Sequence, residues 1–299
     1  YGGHQPLQGG TMTKDEVIAD IKAAREAATT VKATRNRYGY EIAGGGRSRR
    51  LRRVTTLLSG IPKPALVGWG IRETATFAVE HKDEWAGLPK ADAIKLLKGS
   101  PYSKRDAAGD RGSAIHAALE AVVDDTPLPD GLTEDEDACA AAAMGFLGNL
   151  GGTFLATELI VFNFTVGYAG ALDLWHLADD GTTSIIDYKS SKAVYPDHGV
   201  QQAAYANAEW VLLGAQDLDA KGEGWKGQLI PWKPEYAQKL SVCHVEPTGT
   251  TLHTVRDPEK LWKIFQAAAY IKGWQLDTDS YRGKTPREEV YETPIHLEA

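Results

Sequence analysis

The sequence predicts an α/β protein. A mixed central sheet is flanked by helices, and an α-rich N-terminal region containing a basic β-hairpin precedes it. Three observations carry this prediction. Ile115, Leu119 and Val122 recur at helical spacing, as do apolar residues in several other segments. Between residues 154 and 189 the pattern changes to short runs rich in Val, Ile, Leu and aromatic residues, broken by turn residues. Helical and strand-like segments then alternate towards the C-terminus.

The elements follow in order. Residues 1–11 (YGGHQPLQGGT) are Gly-rich and aperiodic and precede Met12, so they read as expression-vector residues or a flexible arm. Thr13-Lys14-Asp15-Glu16 is a capping-box pattern. Val17, Ile18, Ile21 and Ala24 continue it as a helix to about residue 28. Residues 36–42, the turn Gly44-Gly45-Gly46 and residues 47–58 read as a hairpin, ended by Pro62 and Pro64. A helix over 64–81 offers Leu66, Trp69, Phe77 and Val79 to a core. A shorter helix covers 90–98, a long one 104–124, and an alanine-rich one 134–148. Strands follow at 154–165, 170–177 and 183–189, the last two joined across Asp179-Asp180-Gly181. A helix over 201–213, strands at 226–231, 240–246 and 250–255, and a helix over 258–274 complete the series. This divides the chain into an N-terminal region (12–100), a core (101–280) and an irregular tail (281–299).

Composition narrows the functional classes. With 42% hydrophobic and 24% charged residues, the chain is an ordinary globular one. It holds no run of eighteen apolar residues and no secretory leader, so no membrane is expected and the expected location is the cytoplasm. Cys139 and Cys243 are too few for a disulfide scaffold or a four-thiolate cluster. No Gly-x-x-x-x-Gly-Lys-Ser/Thr loop occurs, so ATP is not expected. A net charge of −7 argues against a general basic coat but leaves room for a local one. Arg47, Arg49, Arg50, Arg52 and Arg53 form the densest basic run.

The chemistry concentrates in one hairpin. Asp173 opens its first strand and Asp187-Tyr188-Lys189 ends its second. Asp187 and Lys189 are two apart and share a face. Two acids and a lysine converging there suit metal-assisted phosphodiester hydrolysis. Each residue also has an ordinary reading: a strand-end ion pair for Asp187 and Lys189, and a turn residue for Asp173.

Further motifs stand in order around the hairpin. Gly112-Ser113-Ala114-Ile115-His116, with Glu120 one turn on, lies upstream, then Glu158 in Ala156-Thr157-Glu158. Gly170 and Asp173, Asp187 and Lys189, and Gln201 with Tyr205 complete a set of five over about ninety residues. This set resembles the RecB-like branch of the PD-(D/E)XK nuclease superfamily, with Leu172 where the namesake proline would stand. The resemblance implies a restriction-endonuclease-like core. It implies that His116, Asp173, Asp187 and the Tyr188 carbonyl hold Mg²⁺ or Mn²⁺, the imidazole favouring Mn²⁺. Glu158 joins the catalytic acids, and Lys189 is the catalytic lysine that orients or deprotonates water. Gln201 and Tyr205 contact the substrate strand or brace the lysine. Arg111, Lys192, Arg49, Arg50, Arg52 and Arg53 are phosphate-contact candidates, and Trp69 and Tyr195 stacking candidates.

The implied activity is a DNA exonuclease, phage-encoded, serving recombination, repair or replication, with a single-strand annealing protein as a possible partner. The alternatives are a structure-specific endonuclease on the same core and a DNA-binding module whose nuclease site has decayed. The iron–sulfur cluster of many relatives needs four cysteines, so none is expected here.

Overall fold

A computed structural model describes residues 12–36, 39–44, 46–217 and 224–277. The expected arm at 1–11, Gly45 of the expected turn and the tail at 281–299 lie outside these. The described elements are α1 (Lys14–Glu26), β1 (Thr29–Asn36), β2 (Gly39–Gly44), β3 (Arg47–Arg53), α2 (Val54–Leu58), α3 (Pro64–Glu80), α4 (Lys82–Trp85) and α5 (Lys90–Val123). Then come α6 (Glu134–Leu150), β4 (Thr153–Asn163), β5 (Tyr168–Leu177), β6 (Thr183–Lys189) and α7 (Pro196–Ala206). β7 (Trp210–Asp217), β8 (Gly224–Pro231), β9 (Lys239–Glu246), β10 (Gly249–Thr254) and α8 (Pro258–Asp277) follow.

The protein is α/β, with a large mixed sheet flanked by helices. The strand order is β10-β9-β6-β5-β3-β2-β1-β8-β7-β4, and β4 also pairs with β5. The run from β5 through β3, β2, β1, β8 and β7 to β4 therefore returns to its start and closes a ring. β6, β9 and β10 leave β5 as a wing. Two short seams close the ring: Arg52–Arg53 against Tyr168–Ala169 in parallel, and Ile160–Phe162 against Trp210–Leu212. Val31, Ala33, Tyr40, Ile42, Phe162 and Leu212 from four of its strands form one cluster. A second cluster joins α5 and α6 to the wing through Ile115, Leu119, Leu147, Leu174, Ile186 and Val245. A third packs α2, α7 and α8 on the sheet through Leu57, Val200, Phe265 and Trp175.

Local chemistry explains the element ends. Thr13 and Glu16 cap α1 reciprocally, as Thr133 and Glu136 cap α6. α5 passes through Pro101, which cannot donate to the Leu97 carbonyl. The Ser100 hydroxyl donates to that carbonyl instead, at 3.0 Å, and the helix continues.

Several expectations need correction. The strand expected over 47–58 ends at Arg53, and residues 54–58 form α2, which buries Val54, Leu57 and Leu58. β1 was not expected, yet it joins the N-terminal strands to β8 in the same sheet as the rest. The two helices expected at 90–98 and 104–124 are one, so α5 runs through the expected boundary at residue 100. The helix expected over 201–213 stops at Ala206. Glu209 turns the chain: its N–H donates to Phe162 O at 2.8 Å, and its carboxylate accepts from Phe164 N at 2.7 Å. Val211 and Leu212 are then buried in β7. α3 buries none of its residues: Leu66 and Val79 are 56% and 81% exposed, and Trp69 and Phe77 are half-buried. Its main neighbours are α4 and α5 rather than the sheet.

Candidate functional site

Three elements meet where the ring joins the wing. α5 brings His116, β4 brings Glu158 and β5 brings Asp173, with one donor atom of each within 4.8 Å of the others. Thr157 lies opposite Leu174 and Leu159 opposite Leu172, which leaves Glu158 facing Asp173 across the ladder. Glu158 reaches this position with φ +43°, a conformation uncommon for residues other than glycine.

β6 adds the remaining groups. The Tyr188 N–H donates to Asp173 Oδ2 at 2.7 Å, and the Tyr188 carbonyl lies 3.0 Å from His116 Nε2. His116 Nδ1 is 3.6 Å from Asp173 Oδ2. Asp187 is fully buried and in ion-pair contact with Lys189, whose ammonium also donates to Tyr188 O at 3.3 Å. The Tyr188 carbonyl thus faces both the His116 ring and the Lys189 ammonium. The Tyr188 ring packs in the core beside α5.

α7 supports the acids from behind. Gln201 Nε2 donates to Asp187 Oδ1 at 3.3 Å and to the Tyr205 hydroxyl at 2.8 Å. Gln201 therefore braces the aspartate rather than the lysine, and Tyr205 is buried. Gly170 makes room for this contact: a Cβ there would lie 2.6 Å from Tyr205 Cε1 and 3.2 Å from Val54 Cγ2.

Burial dominates the electrostatics. Burial, then the Asp173 carboxylate, push Glu158 from 4.5 up to about 7, and His116 offsets part of this. Burial also pushes Asp187 upward, against the pull of Lys189. For Lys189, burial acts to lower the ammonium's pKa, but Asp187 and Asp173 outweigh it and the net shift is upward. In this constellation the Lys189 ammonium is the ion-pair partner of Asp187 and a hydrogen-bond donor to Tyr188 O.

The expected phosphate contacts are scattered. Arg111 lies on α5 with its guanidinium 3.7 Å from Cys139 Sγ and 3.8 Å from Asp135, so it is engaged with α6. Lys192 is exposed just beyond β6. Arg49 donates to the Phe164 carbonyl and stacks 5.1 Å from the Phe164 ring. Arg50 is highly exposed and 3.5 Å from Glu41. Arg52 is half-buried near Gly273, and Arg53 donates to Asn36 O at 2.6 Å. Of the stacking candidates, Tyr195 is exposed and Trp69 half-buried.

Two further residues adjoin the site without having been singled out. Arg35 on β1 lies over Trp225 at 5.6 Å and acts electrostatically on Glu158 and Tyr40. No sequence motif marks it, because ring closure is what brings β1 to the site. Asp197, at the start of α7, acts on Lys189 and is paired with Lys63 at 2.6 Å. The rigid Pro62-Lys63-Pro64 segment was the only signal for that pair. Searches with the chain find no matching family model and no matching curated protein.

Proposed function

We propose that the chain is a divalent-metal-dependent deoxyribonuclease with a restriction-endonuclease-like core, acting as an exonuclease on DNA. The observation that carries this reading is the convergence of His116, Glu158 and Asp173 within 4.8 Å, beside Asp187 and Lys189. The donor set fits a hard cation of the Mg²⁺ or Mn²⁺ type: carboxylate oxygens, a carbonyl and one imidazole. Burial raises Glu158 first and the Asp173 carboxylate second, and a bound cation would act in the opposite direction. His116, Glu158, Asp173, Asp187 and the Tyr188 carbonyl would hold it. When bound, it supplies Lewis-acid polarisation of the phosphoryl oxygens and a more acidic water.

The chain's own residues do the rest. Lys189, anchored by Asp187 and the Tyr188 carbonyl, places an ammonium where negative charge develops on the phosphodiester. Gln201 fixes the Asp187 carboxylate, and Tyr205 fixes Gln201.

The test uses linear DNA labelled at the 5′ or 3′ end, with Mg²⁺ or Mn²⁺ and an EDTA control. Wild type should degrade it from an end and leave a covalently closed circle intact. Lys189→Ala and Asp187→Ala should each lower the rate by about 100-fold or more. Intact DNA with wild type under both metals, or full activity in the two variants, overturns the reading.

A further inference from the structure

α5 carries more than His116. Counting about 100° per residue, Lys98 points the same way as His116, eighteen residues and five turns later. Arg105 falls about 20° and Tyr102 about 40° from that direction. All three side chains are exposed. The Arg105 guanidinium lies 5.1 Å from the Tyr102 ring and is bonded to Asp106 Oδ1 at 2.7 and 2.9 Å, which holds it over the ring.

Between Arg105 and His116 the same face is flat. A Cβ at Gly109 would meet nothing within 4 Å, and one at Gly112 would meet only Ser190 Oγ, at 3.7 Å. Another side of α5 is occupied, since Lys104 pairs with Glu73 of α3. The stripe therefore runs as two cations flanking an aromatic ring, then a floor without side chains, then the metal-ligand candidate. Its length from Lys98 to His116 is roughly 27 Å at the rise of an α-helix.

We propose that this face of α5 is the track on which a DNA strand lies as it enters the His116–Glu158–Asp173 cluster. The inference rests on the nuclease reading and names the surface that reading lacks. Charge selects the occupant: Lys98 and Arg105 stand on a protein of net charge −7, in line with a site suited to a phosphodiester. Tyr102 offers a ring for a base to stack on. The bare glycine floor lets a sugar–phosphate backbone lie against the helix.

The test compares wild type with the Lys98→Ala/Arg105→Ala double variant of the full chain. Binding of a fluorescein-labelled 20-nucleotide single strand is measured in EDTA over a KCl series. Hydrolysis of that strand and of thymidine 5′-(p-nitrophenyl phosphate), too short to reach Arg105, is measured with Mn²⁺. The double variant should bind the 20-mer more weakly, with a salt slope smaller by about 0.7 for Lys98 and by about 1.4 where Arg105 exchanges Asp106 for a phosphate. Its KM for the 20-mer should rise, while hydrolysis of the small ester stays at the wild-type rate. Unchanged binding and slope in the variant, with wild type cleaving normally, overturns the track and leaves the nuclease reading standing. Loss of binding in the variant, with a wild type that cleaves neither substrate, keeps the track and overturns the nuclease. A wild type that neither binds nor cleaves overturns both.

Discussion

Glu158 is the residue on which the site's strain and charge both fall. Its φ of +43° places a side chain where few residues but glycine rest, and its carboxyl is shifted up to about 7. The folded state therefore holds the proton more tightly than the unfolded chain. That contribution to stability is complete below pH 4.5 and is lost as pH rises through about 7. In EDTA, wild-type thermal stability should fall across that window more steeply than that of Glu158→Gln, by about 1–3 kcal/mol. Melting curves at pH 5 and pH 8 measure the difference, and parallel curves for the two proteins would refute it. At pH 8, Mn²⁺ should raise the wild-type Tm and leave an Asp173→Asn/His116→Ala protein unmoved, a comparison that calorimetry makes directly.

At the scale of elements, α7 and β5 are fitted to one another at Gly170. Gly170→Ala would press a methyl group into Tyr205 and Val54, both buried. We expect a loss of about 1–3 kcal/mol in urea unfolding, with displacement of the Tyr205–Gln201–Asp187 chain and a fall in activity. How far the elements could be read depended on their local signals. β5 and β6 were legible because apolar runs flank Asp179-Asp180-Gly181, a strong turn signal. β1 was not, because Thr29–Asn36 alternates in burial yet carries only Val31 and Ala33 as apolar positions, too few to mark a strand. β7 read as more of α7 because Trp210–Leu213 is as apolar as a buried helix, and only its partners β4 and β8 decide the matter. Leu66 and Val79 looked like core residues on helical periodicity alone, yet α3 finds no sheet to cover them. The grouping of His116, Glu158 and Asp173 was legible from motif order. Arg35 was not, since its approach depends on ring closure.

For the whole molecule, the ring makes the N-terminal strands integral to the sheet that holds the site. Deleting residues 12–53 removes three of its strands, exposes the edge of β8 and takes the partner from Tyr168–Ala169 of β5. The shortened chain should show no cooperative thermal transition by circular dichroism, whereas a dispensable DNA-binding region would leave a folded core with only weaker affinity. The ring also sets an order in time. Thr29 pairs with Leu229, so β1 waits for about 200 residues of synthesis before its partner exists. At ribosomal rates of about 5–20 residues per second, that wait is roughly 10–40 s. Until then β1, paired with β2 on one side, has no partner for the edge that faces β8. Lys32 and Arg35 on β1 are charges of the kind that guard such an edge against a wrong strand.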